Sequence, residues 1–100
     1  MDPLNPQAER FEAVVWRWPT PKGILMVTVP AEVRPAALAA FGRTPVVATV
    51  RGKAWRTSIF GSKGHGAILL MPKKVLGGGG EGDVVEVSFV LDVARVLEMG

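Results

Sequence analysis

The side chains in this chain with the clearest chemical potential are cations. Arg51, Lys53, Arg56, Lys63, Lys73 and Lys74 lie in a stretch, Arg34 to Gly80, that holds eight bases and no acid. Arg34 and Arg43 complete the eight. The stretch carries +8, while the four bases and nine acids of the flanks leave −5 there and +3 overall. A basic segment of this kind suits an anionic partner, because each cation that neutralises a phosphate releases a condensed counterion. Arg51 and Lys53 flank Gly52 at an expected hairpin tip, where charge projects outward. Trp55, next to them, is placed to stack on a base. The competing expectation is structural. Cations keep strand edges soluble, Trp55 joins the core, and acidic end strands interleave with basic middle ones to leave a mixed surface.

Other chemistry finds less support. His65 is the only histidine, and cysteine and tyrosine are absent. A metal site would have to draw every other ligand from carboxylates, so no metal is expected. A nucleophilic triad would need His65 beside Ser58, Ser62 or Ser88 and an orienting acid, and nothing in their spacing favours that. A solvated loop histidine is the simpler reading. Gly77-x-Gly79-x-x-Gly82 fits the dinucleotide pattern on paper, but that motif needs a strand before it and a helix after it, and here the expected order is reversed. Gly61 to Gly66 could cradle a phosphate with Lys63, yet it lacks the P-loop spacing and reads as a hairpin loop. Glu81, Asp83 and Glu86 have turn and solvent-face explanations. Trp16 and Trp18 share one strand face, where packing over a helix or at a barrel mouth is expected rather than a ligand cage. No catalytic residue and no cofactor are assigned, and an enzyme is the least supported class.

The elements that must position these residues are short and mostly extended. A chain of 100 residues that is 48% hydrophobic suffices for one domain with its own core. Without cysteine, disulfides are excluded, which fits a reducing cytoplasm. Met1 to Pro6 lacks the basic-then-apolar order of a signal peptide, and apolar runs such as Ala67 to Met71 are too short to cross a bilayer. Asn5 and Gln7 are the only side-chain amides, which fits a thermophile or a GC-rich genome equally well. Residues 1–8 read as a loose arm, 9–92 as one β-barrel domain and 93–100 as a tail that adds a short helix or strand. Arg10 to Trp18 alternates, with Phe11, Ala13 and Val15 on one face. Pro19 to Gly23 turns the chain into Ile24–Val29, and Pro30 ends that strand. Ala36 to Phe41 has helix propensity, with Pro35 at its start and Gly42 past its end. Val46–Arg51 and Ala54–Phe60 form a tight hairpin around Gly52-Lys53. Ala67–Met71 follows, then a helical turn over Pro72–Leu76 and a glycine loop to Gly80. Gly82-Asp83 launches a last strand whose Val85, Val87, Phe89 and Leu91 face inward. Six short strands at even spacing predict a mainly β, small closed barrel with one or two short helices.

Four stretches, in this order, carry a family resemblance. They are Phe11 with tryptophan near the end of its strand, Val27-Thr28-Val29-Pro30 before a short helix, Val50 to Ile59 with its Arg56-Thr57-Ser58 step, and Gly66 to Pro72 followed by Lys73-Lys74, Gly82 to Val87 and Leu91-Asp92. Together they cover most of 9–92. The pattern resembles the domain of unknown function nineteen-oh-five family, which in some proteins precedes a helical YdeI or OmpD-associated segment. The resemblance implies a double-split β-barrel, related in shape to the AbrB and MazE type of DNA-binding barrel, and brings no activity, cofactor or catalytic residue. The YdeI-like segment is expected to be absent here, so no function that depends on it is assigned, and the Gly77–Gly80 run reads as looser than the helix-to-turn connection the family implies. Fold likeness alone carries no function. The leading expectation is a non-enzymatic binding module in which the basic hairpin and Lys73-Lys74 contact an anionic partner such as nucleic acid. A small-ligand barrel is the alternative, with no membrane partner in either case.

Overall fold

A computed structural model describes residues 8–34 and 43–99. The helix expected between Pro35 and Gly42 lies outside them, as does most of the expected arm. The strands are β1 (Glu9–Val14), β2 (Trp16–Arg17), β3 (Leu25–Val29), β4 (Arg43–Val50), β5 (Lys53–Ser62), β6 (Gly66–Leu70) and β7 (Val84–Leu91). Helix α1 spans Lys73–Leu76 and α2 spans Val93–Met99. One antiparallel sheet takes the order β1-β7-β4-β5-β6-β3-β2.

The two ends of that order are consecutive in the chain, and this turns the sheet into a nearly closed barrel. Val15 sits between β1 and β2. Its N–H donates to the Asp83 carbonyl and its own carbonyl accepts from Gly82 N, both at 2.8 Å. The ladder of β1 on β7 therefore continues past Val14, while from Trp16 onward the chain pairs with β3 instead. One strand thus changes partner midway. Counting β1 and β2 together gives the six strands read from the sequence; the change of partner splits the first into two.

Closure follows from alternation. Phe11 and Val15, Val27 and Val29, Val46 and Val50, Leu69, Val85 and Val87 turn inward and are at most 8% exposed. Burying each such side chain contributes about 1.5–3 kcal/mol, and alternate inward residues of this size fill a small barrel.

The hairpin turn sits one residue earlier than expected. Val50 pairs with Lys53, so Arg51-Gly52 forms the tip. Both have positive φ, 52° and 77°, as a two-residue primed turn requires. Arg51 accepts a conformation that disfavours a Cβ because its side chain is anchored elsewhere. Pro72 precedes α1 and Gly77 closes it at φ 58°, in keeping with left-handed glycine ends. The tail forms α2. There Asp92 Oδ1 accepts from Arg95 N at 3.4 Å and the Asp92 carbonyl from Val96 N at 3.0 Å, so Asp92 serves as its N-terminal cap.

Candidate binding surface

One end of the barrel carries the β4–β5 turn, α1 and the glycine loop. Strand direction gathers Arg51, Lys53, Lys73 and Lys74 there, although α1 lies some twenty residues beyond the hairpin. Lys53 Nζ donates to the Lys74 carbonyl at 2.8 Å. Arg51 Nη1 donates to the Leu76 carbonyl. Both bonds reach carbonyls at the C-terminus of α1 that lack an intrahelical partner, and the Leu76 carbonyl also accepts from Gly79 N at 3.0 Å. Arg51 Nη2 also lies 3.5 Å from Asp83 Oδ2, and that carboxylate accepts from Gly80 N at 3.2 Å. The loop crosses so close that a Cβ on Gly79 would collide with the Asp83 carboxylate. At the same end Arg17 Nε pairs with Glu81 Oε1 at 3.2 Å, and Arg17 Nη1 donates to the Gly23 carbonyl at 2.7 Å. Among the described residues, Lys53, Lys73 and Lys74 have no carboxylate partner, and all three are exposed.

The other predicted site residues lie elsewhere. Arg56 faces outward beside α2, and its Nε donates to Asp92 Oδ2 at 2.8 Å. Arg95 Nε reaches the same oxygen at 2.7 Å, and Arg95 Nη2 donates to the carbonyls of Val46 and Thr57. The hydrogen bond from Arg56, joined by those from Arg95 and opposed by desolvation, lowers the Asp92 carboxyl from 3.8 to about 2. The Asp92 bond in turn raises the Arg56 guanidinium above its usual value. Trp55 pairs with Ala48 and packs against the core, its Nε1 buried without a hydrogen-bond partner among the described residues. It therefore does not stand beside the hairpin cations as an outward-facing ring. Lys63 is exposed in the β5–β6 turn.

Acids and bases meet in part across the barrel, with Glu81, Asp83 and Asp92 paired to arginines. Because β1 pairs with β7, Glu12 lies directly opposite Glu86. Two aspartates reach the basic stretch, one from each end of β7: Asp83 to Arg51 and Asp92 to Arg56. An open groove of about 230 Å³ beside α2 is lined by Arg43, Pro45, Ser58, Arg95 and Glu98. It holds both signs of charge, and Arg95 is already committed to Asp92 and two carbonyls.

An aromatic cluster on the outer wall was not foreseen. The helix that Trp16 and Trp18 are expected to cover lies outside the described residues. The two indole rings lie 5.7 Å apart, and His65 lies 5.2 Å from Trp16 with planes 10° apart and 4.9 Å from Trp18. Trp16 Nε1 donates to Thr28 Oγ1 at 3.1 Å. Alternation already places the two tryptophans on one face. No local signal shows that a histidine about fifty residues later folds onto them.

Among the described residues, no three His, Asp or Glu side chains are grouped so as to hold a metal ion. Residues 11–89 match the family described as Domain of unknown function (DUF1905). No curated protein matches the chain.

Proposed function

The chain belongs to the DUF1905 family, and on that premise we propose that it is a non-enzymatic module that binds an anionic partner, such as nucleic acid, at the basic end of the barrel. The observation that carries this reading is the 2.8 Å bond from Lys53 Nζ to the Lys74 carbonyl. It fastens the hairpin to the helix that carries exposed Lys73 and Lys74. An ammonium with donors to spare contacts phosphate as a point charge. Two of the six cations favoured from the sequence, Arg51 and Arg56, are held by aspartates and act on the scaffold instead. Among the described residues, no helix is long and apolar enough to cross a membrane. We place the protein in the cytoplasm, where a chain without cysteine is at no disadvantage.

The test is a fluorescence-anisotropy panel of labelled single-stranded DNA, duplex DNA and RNA. The double variant Lys73→Glu/Lys74→Glu is expected to weaken binding roughly tenfold or more at low salt. Unchanged affinity in that variant rejects the site, and the absence of binding to all three polymers rejects the function.

A further inference from the structure

We infer that the outer-wall cluster of Trp16, Trp18 and His65 is a base-stacking subsite, and that the anionic partner is a single-stranded nucleic acid. The inference rests on the reading of the basic end as an anion-binding surface and adds what that end lacks, a group that distinguishes a base from a bare phosphate.

Three features support it. The first is a stack of planar rings whose outermost member, His65, is exposed. Two indoles are only partly buried on the outside of a barrel whose core is complete without them. The imidazole of His65 lies on Trp16 almost parallel, in the arrangement a nucleobase adopts on an aromatic side chain. The second is how His65 gets there. It is carried by the turn Lys63-Gly64-His65, with Gly64 and Gly66 at φ 86° and 70°. These conformations bend the β5–β6 hairpin onto the wall, and a Cβ on Gly64 would meet nothing within 4 Å.

The third is charge. Lys63 is exposed two residues from His65, and that turn contains no acid. The Arg34 guanidinium lies against Gly66, where a Cβ would sit 2.6 Å from Nη2. Its Nε is bound to the Val29 carbonyl at 3.0 Å, and among the described residues its side chain has no carboxylate partner. Glu32, two residues before Arg34, is the acid nearest to it along the chain. Aromatic rings flanked by cations are the arrangement that binds unpaired strands, in which bases are free to stack.

The platform also lies within reach of the basic end. Trp16 pairs with Met26 and Met26 with Leu70, two strand spacings or roughly 10 Å in all. Leu70 is three residues before Lys73. One oligonucleotide of about 4–16 nucleotides, the site size of OB-fold barrels, is long enough to span both.

The experiment compares oligothymidylate with inorganic polyphosphate of matched charge, read by tryptophan fluorescence and by competition. Oligothymidylate is expected to quench the indoles and to bind more tightly than polyphosphate. His65→Ala, on an exposed turn, and Trp18→Ala are each expected to weaken oligothymidylate about 5- to 100-fold and leave polyphosphate unchanged. Trp16→Phe keeps a ring and should lose less, which guards against a fold defect in the alanine variants. Equal affinity for the two polyanions, with His65→Ala altering neither, overturns the stacking subsite and leaves the basic end standing. If neither polyanion binds, both readings fall together.

Discussion

Replacing Arg51 separates its anchoring role from any contact with a ligand. Its φ of 52° places an L-residue in the left-handed region, at a cost of about 1–2 kcal/mol. The guanidinium offsets this by donating to the Leu76 carbonyl, a charged hydrogen bond of about 1.5–3 kcal/mol. The Asp83 contact at 3.5 Å joins groups 43% and 36% exposed, so screening holds it to about 0–1 kcal/mol. Arg51→Ala keeps the backbone cost and loses both contacts, for an expected loss of about 2 kcal/mol. Arg51→Gly loses the same contacts but relieves the backbone, and should be about 1 kcal/mol more stable than the alanine variant. In a domain of 100 residues, 2 kcal/mol corresponds to about 10 °C in Tm. Urea unfolding followed by tryptophan fluorescence, with thermal melts beside it, measures all three proteins. An alanine variant within about 0.5 kcal/mol of the parent, a difference typical of surface sites without such a role, would refute the anchoring argument. So would a glycine variant no more stable than alanine.

Three further perturbations test other parts of the account. Asp92 has its folded pKa lowered from 3.8 to about 2, so its contribution is present above about pH 4 and is lost as pH falls towards 2. Asp92→Asn should therefore show a shallower loss of Tm than the parent between pH 4 and 2, and parallel curves would count against the Arg56–Asp92–Arg95 network. Glu86→Lys converts the like-charge pair with Glu12 into an attractive one and should raise stability by up to about 1 kcal/mol in denaturant melts; a loss would mean that the two side chains do not face each other. Leu69→Ala, at a position with no exposure, should cost about 2–5 kcal/mol. A small effect on the urea midpoint would show that the interior is looser than described.

Much of this molecule is legible in its sequence, and the parts that are not share a physical cause. Alternation along Phe11, Ala13 and Val15, and along Val85, Val87 and Phe89, is a local signal with period two, so the strands and their inward faces can be read directly. Gly77 and Pro72 punctuate α1 for equally local reasons. The partner change at Val15 cannot be seen locally, because it depends on Gly82 and Asp83 meeting that residue across the closed barrel. The site divides in the same way. Charge alone singles out Lys53, Lys73 and Lys74, and topology brings the hairpin to the helix that carries the last two. Arg51 and Arg56 looked equivalent to them, but Asp83 and Asp92 stand at the two ends of a strand paired with β4, which charge counting along the chain does not reveal. Trp55 follows the pleat inward, since its register partner is the buried Ala48.

The central functional claim concerns lysines that neutralise phosphates, and its signature is counterion release. Affinity for a labelled single-stranded oligonucleotide, measured from 50 to 200 mM salt, should fall along a log–log line. With three phosphates neutralised by Lys53, Lys73 and Lys74 the slope is about −2, a loss of about 20-fold over that range. Affinity that stays level with salt, or no binding at 50 mM, would contradict the account.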